Sequence, residues 1–142
     1  MTETVPVPPI DLVVDTATDP ATAWRAITDP DRIAAWLTAA TPLGEAGSVY
    51  TLDFGDGSVV AGVVREVVPG QRFSHGRAWA GSEPGEATVV TWSVEPRPGG
   101  GSRVRLVHDG WDEAGVGRSA RDEHEGYWTG YLDDLRDLLE GR

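Results

Sequence analysis

The chain contains no cysteine and no lysine: its twelve cationic side chains are all arginine, set against 23 aspartates and glutamates, for a net charge of -11 over 142 residues. Without thiols there is no disulfide, no thiolate zinc site or iron-sulfur cluster, and no thiol nucleophile. Without a basic run there is no footprint for a phosphate backbone or an anionic lipid surface, so neither nucleic acid nor membrane is expected as a partner. No apolar run approaches bilayer-spanning length, and residues 1–9, with acidic Glu3, lack the charged-then-apolar order of a secretory signal. The expected location is the cytoplasm. Nucleotide-binding glycine spacings and the Gly-x-Ser-x-Gly elbow are missing as well. What is present is 39% hydrophobic residues with six tryptophans, enough for one core in a chain of single-domain size.

Residues 1–9, with Pro6, Pro8 and Pro9, read as an extended leader, and residues 10–142 as one domain. Residues 10–15 (IDLVVD) form a β-rich run. Asp19-Pro20 and Asp29-Pro30 each place a side-chain acceptor at an N-cap and a pre-set φ at the first helical position. They open two short helices with apolar faces of Ala23, Trp24 and Ile27, then Ile33, Trp36 and Leu37. From residue 48 to 111, strand-like runs alternate with turn chemistry at Gly55-Asp56-Gly57, Pro69-Gly70, residues 81–85 and Gly99-Gly100-Gly101, the pattern of an antiparallel meander. The last element is an amphipathic helix over about residues 119–140. Ser119 and Asp122 stand at capping-box spacing, and Tyr127, Trp128, Tyr131, Leu132, Leu135, Leu138 and Leu139 recur along it. Gly126 and Gly130 share one side of it and each costs ~1 kcal/mol of helix propensity, so close sheet contact or cavity room is expected to use the missing side chains. The order of elements gives an α+β fold: a curved antiparallel six-stranded sheet wrapped around a long C-terminal helix, with two short helices after strand 1.

Centring the last hairpin on residues 99–101 pairs Val90 with His108, Trp92 with Leu106 and Val94 with Val104 on one face, apolar but for His108. Thr91, Ser93, Arg103 and Arg105 take the other face. In the preceding strand the apolar parity of Phe73 and Trp79 carries His75 and Arg77 inward with them. An inward Arg77 calls for a carboxylate mate, a wet cavity or an anionic ligand group. The alternative is that it snorkels from a strand end, or that a bulge flips the parity. His75 and His108 fall two strands apart, ~9.6 Å, too far by backbone position alone to share a zinc ion; a three-histidine site with His124 is the alternative, but neither metal nor cofactor is expected. His124 lies on the apolar side of the long helix. His108 and His124 are the candidates for acid-base chemistry, each weighed against a purely packing role. Asp109 points away from His108, so no triad forms. Trp36, Trp79, Trp92, Trp128 and Tyr131 either line a cavity with these polar groups or fill the interior between them.

The chain resembles the START-like (SRPBCC, birch-pollen-allergen-like) superfamily over about residues 10–140, and within it the branch named after the activator of the heat-shock protein 90 ATPase. The residues that carry the likeness are Thr28-Asp29-Pro30 followed by Trp36-Leu37; Asp56-Gly57 with Gly62-Val63 and Val67-Val68-Pro69; Gly101-Ser102-Arg103-Val104 leading into Val107-His108-Asp109-Gly110-Trp111; and His124-Glu125-Gly126-Tyr127-Trp128 with Tyr131-Leu132. The resemblance implies a helix-grip fold with an apolar cavity between sheet and long helix, used in relatives for lipids, sterols and polyketides. The expected function is binding of a small hydrophobic molecule, aromatic polyketide-like or lipid-like, by Trp36, His75, Arg77, Trp79, Trp92, His108, His124, Trp128 and Tyr131. A cyclase or aromatase using the same pocket, and a chaperone-associated interaction module, are the alternatives. In the eponymous activator a separate N-terminal module makes much of the chaperone contact, and with none in this sequence cochaperone activity is not expected.

Overall fold

The alternation of strand runs and glycine turns builds one continuous antiparallel sheet. The computed structural model describes residues 7–55, 57–79, 88–111 and 117–141, the Trp79 side chain excepted. Among these the elements are β1 (Ile10–Thr16), α1 (Pro20–Thr28), α2 (Pro30–Ile33), β2 (Ala39–Ala40), β3 (Val49–Asp53), β4 (Val59–Val68), β5 (Arg72–Trp79), β6 (Thr88–Pro96), β7 (Ser102–Asp109) and α3 (Arg118–Leu139). The strand order is β1-β7-β6-β5-β4-β3-β2, seven strands in place of the six expected. The addition is the two-residue β2, paired Ala39 to Asp53 and Ala40 to Leu52, too short and too plain in composition to carry a strand pattern.

Local chemistry sets most boundaries. Asp19 accepts the Thr22 amide at 3.2 Å and Asp29 the Asp31 amide at 3.0 Å, each ahead of a proline at the start of its helix. Gly99 and Gly100 take φ of 94° and 101°, closing the β6–β7 hairpin in the register Val90 to His108, Trp92 to Leu106 and Val94 to Val104. Across β5, His75 meets Val90, so His75, Val90 and His108 form one row over three strands. Phe73, His75 and Arg77 are all buried, which settles the parity of β5. On the outer face Arg103 bonds Asp15 at 2.7 and 3.1 Å, and Arg105 pairs with Asp11; these exposed pairs add little stability each.

The core lies between the inner face of the sheet and the helices, with Ile10, Phe73, Val90, Leu106, Trp111 and Leu135 sealed from solvent. Helix α3 packs on β1 and α1 and buries Trp128, Leu132 and Leu135. Its start differs from the capping-box reading. Gly117 is the cap residue, with no side-chain bond, because the helix begins at Arg118 and draws Ser119 into its first turn. Arg121 instead ties the entry, donating to the carbonyls of Pro8 at 3.1 Å and Pro9 at 3.0 Å and so clamping the residues ahead of β1 to the helix.

Gly126 and Gly130 also depart from expectation. Both are exposed, and a methyl group at either would meet nothing within 4 Å, so neither sheet contact nor cavity room uses them. Gly126→Ala and Gly130→Ala are each expected to stabilise the fold by up to ~1 kcal/mol, measured by chemical denaturation; a loss of stability would show that the exposed face of α3 is covered in solution.

Candidate functional site

A small space lies under α2 and the turn after it, between the sheet and α3. Ile27 from α1, Ile33, Trp36 and Leu37 from the α2 segment, Tyr50 and Leu52 from β3, His75 from β5, Trp92 from β6 and Trp128 from α3 line it. Its volume is about 10 Å³, room for about one water molecule. The roomy cavity that the resemblance implied is therefore closed here, because the indoles interlock. Trp36 meets Trp92 edge to face at 5.8 Å, Trp92 meets Trp128 at 5.7 Å, and Trp36 Nε1 donates to the Ala26 carbonyl at 2.8 Å.

Two polar groups share this space with the indoles. His75 donates from Nδ1 to the Gly76 carbonyl at 2.7 Å, which leaves its lone pair on Nε2. Burial, with the Arg77 charge adding, pushes its pKa down to about 4. The Tyr50 ring lies 4.8 Å from the His75 ring, and burial pushes the Tyr50 phenol up to about 12.

Arg77, His108 and His124 gather into a second cluster on the far side of Trp128. The Arg77 guanidinium stands 5.4 Å from the Trp128 ring centre, a cation-π arrangement, and burial lowers its pKa to about 10. At His108 the bonds form a directed chain. Trp128 Nε1 donates to His108 Nδ1 at 3.0 Å, which assigns the proton to Nε2; Nε2 donates to Thr88 Oγ1 at 2.6 Å, and Thr88 donates onward to the Arg77 carbonyl at 3.2 Å. The Trp111 indole donates to the His108 backbone carbonyl at 3.0 Å and packs on the ring. Burial first, then the Arg77 charge, holds the His108 pKa at about 2, so the ring is neutral and both nitrogens are engaged. His124 is half-buried, donates from Nδ1 to the Ala120 carbonyl at 2.7 Å and lies 5.6 Å from His108, its pKa lowered by burial.

Of the residues singled out in the sequence, Trp36, His75, Trp92 and Trp128 meet at the small space, whereas Arg77, His108 and His124 stand apart in the polar cluster. Tyr131 packs on Phe54 at 6.3 Å, and the Trp79 side chain lies outside the described residues. Among the described residues no group of histidines and carboxylates could hold a metal ion. Three participants escaped the sequence reading. Tyr50 was within reach, since the alternation in SVYTLDF turns Tyr50 and Leu52 inward; Thr88 and Trp111, at the ends of strand runs, carried no periodic signal.

The model of the family described as activator of Hsp90 ATPase homolog 1-like protein matches residues 17–140. The chain belongs to this family. No curated protein matches it. Among solved structures the fold is similar to DynU16, described as a protein in the dynemicin biosynthetic locus, at TM-score 0.82 and 23% identity over 96% of this chain; the chain spans 49% of that protein. Similar too are MLL2253 from Mesorhizobium loti (TM-score 0.80, 24% identity, 93% of this chain and 96% of that one) and the dimeric Aha1 from Colwellia psychrerythraea (0.78, 22%, 94% and 96%). At these identities the likeness is one of fold: a curled antiparallel sheet gripping a C-terminal helix. No helix among the described residues is long and apolar enough to cross a membrane.

Proposed function

We propose that the chain binds a small, mostly hydrophobic molecule, aromatic polyketide-like or lipid-like, between the sheet and α3, in the cytoplasm. The observation that carries this reading is the convergence of Trp36, Trp92 and Trp128 with Tyr50 and His75 on one small space. A space of about 10 Å³ is the closed form, so entry requires the segment 33–37 to swing out. That segment follows α2, which rests chiefly on α1 and β2 at the edge of the sheet; Ile33 and Trp36 anchor it in the core, Trp36 through its bond to Ala26 and its contact with Trp92. A cyclase or aromatase acting in the same pocket is the narrower version, supported by the occurrence of DynU16 in a biosynthetic locus. In that version His108 does not serve as the acid-base group, because both of its nitrogens are already bonded within the protein. The tight packing of the interior favours a second reading, an interaction module that holds no internal ligand.

Thermal unfolding, read by tryptophan fluorescence against a panel of flavonoids, aromatic polyketides, sterols and fatty acids, separates the two. Binding at 100 times the dissociation constant stabilises by ~2.7 kcal/mol, a rise in Tm of several degrees for a domain of this size. A reproducible rise with one chemical class is the expected result. An unchanged Tm across the panel would sink the carrier and the enzyme together and leave the interaction module.

A further inference from the structure

We infer that the outer face of the sheet is where two copies of this chain associate, face to face about a two-fold axis. The association is independent of whether the interior takes a ligand.

The alternation that turns Tyr50, Leu52, Val60, Val64 and Val90 into the core turns their neighbours outward. Of the four large hydrophobic side chains exposed among the described residues, three stand on this outer face: Val49 at 65%, Val63 at 51% and Val13 at 46%. Val49 and Val63 are register partners across β3 and β4. Beside them Ala61 pairs with Ala78, Gly76 with Val89 and Thr91 with Val107, so an uncharged patch of short side chains runs from β3 to β7. Valine has few rotamers to lose when covered, and a flat sheet face is the kind of surface on which a second sheet packs ~10 Å away.

Charge selects the partner. Next to the patch Arg103 pairs with Asp15, Arg105 with Asp11 and Arg72 with Glu66, a band with no net charge. The chain as a whole carries -11, so the excess of negative charge lies away from the patch and the band, with Glu123, Asp133 and Asp134 exposed along α3. A basic partner is drawn to that acidic side instead. A second copy is repelled there and approaches closely only where both surfaces are neutral. The interspersed signs also suit a two-fold contact, in which arginines of one copy face carboxylates of the other; a partner of single sign would meet as many repelling groups as attracting ones. The area is sufficient. Six strands, from β1 to β3, at ~4.8 Å spacing, by the eight residues of β7 at ~3.4 Å each, give ~650 Å² per copy, within the ~600–1,000 Å² that a stable interface takes from each partner.

Sedimentation equilibrium of the full chain tests this, at ~0.15 M salt so that repulsion between copies is screened beyond ~8 Å. The expected result is a mass rising from one chain to two, with a dissociation constant in the micromolar range. Val63→Lys is expected to raise that constant at least ~10-fold, because it buries like charges in the contact. The same change lowers the net charge of each copy, which by itself favours association, so a weakening is specific to the face. Tyr127→Ser, on the exposed side of α3, is expected to leave the dimer unchanged. A single-chain mass up to ~300 μM, a dimer that Val63→Lys does not weaken, or one that Tyr127→Ser dissociates would overturn the inference. If Val63→Lys does not fold by circular dichroism, Val49→Lys, at the more exposed of the two valines, decides.

Discussion

Acidification from pH 7 to pH 4.5 will remove about 5 kcal/mol of folding stability, before most carboxylates have been neutralised. His75 and His108 stay neutral in the fold, with pKa values pushed by burial to about 4 and about 2, whereas each takes up a proton near 6.5 once unfolded. Between those limits the unfolded chain binds more protons than the native one, so stability is full above the unfolded value and falls as the pH drops below it. Each histidine contributes ~1.4 kcal/mol per pH unit, and His124, lowered in the same direction, adds to the loss. Marginal domains have ~5–15 kcal/mol in total, so the effect is large. The carboxyls of Asp11, Asp15, Asp19 and Glu66 are held below their ordinary values by Arg105, Arg103, Thr22 and Arg72. What those contacts contribute is lost only at lower pH, which keeps the window between 6.5 and 4.5 chiefly for histidine. Urea denaturation at several pH values measures the slope. His75→Gln is expected to remove roughly half of it, and a flat profile in the wild type would show that these rings are not buried neutral.

Gly62→Ala will destabilise the fold by several kcal/mol or prevent folding, while Gly76→Ala, on the facing strand, will be nearly tolerated. The strands β4 and β5 come unusually close where the two glycines meet. A Cβ on Gly62 would stand 1.7 Å from the Gly76 carbonyl oxygen and 2.3 Å from its carbon, backbone atoms that cannot move without breaking the ladder. A Cβ on Gly76 would find its nearest neighbour, the Val63 amide nitrogen, at 3.7 Å, an ordinary contact. Overpacking of a core typically costs ~1–3 kcal/mol, and a clash with backbone costs more. The consequence reaches the site, because Gly76 also supplies the carbonyl that holds the His75 proton, and a shifted strand would release it. Thermal denaturation of the pair of variants decides; equal losses at both positions would contradict the close approach. The register of the same strand pair shifts just beyond, between Val64 and Glu66, as at a β-bulge.

The features legible in the chain were those governed by near neighbours. The Asp-Pro pairs capped α1 and α2 because the cap bond spans three residues or fewer, and the glycine turn at 99–101 set the β6–β7 register because a hairpin leaves no freedom in pairing. Alternation put His75 and Arg77 on the inward side of β5 but left a snorkelling Arg77 or a parity-flipping bulge open, and the burial of both side chains decides it. Even where the reading failed, at the start of α3, the miss was of two residues: the cap is Gly117 rather than Ser119.

Tertiary structure decided how the buried polar groups divide. Sequence parity put His75, Arg77 and His108 on one face, but only the curl of the sheet and the seating of α3 drop Trp128 between them. That indole leaves His75 beside Tyr50, a partner from two strands away, and binds His108 into a chain with Thr88. No local rule predicts such contacts, because each depends on where an element distant in sequence comes to rest. The size of the space under α2 was equally beyond the sequence, since a void of about 10 Å³ is a small difference between large side-chain volumes and the room the backbone encloses. Alternation and turn chemistry determined which residues face inward; the packing of α3 and the α2 segment onto the curled sheet determined which of them meet.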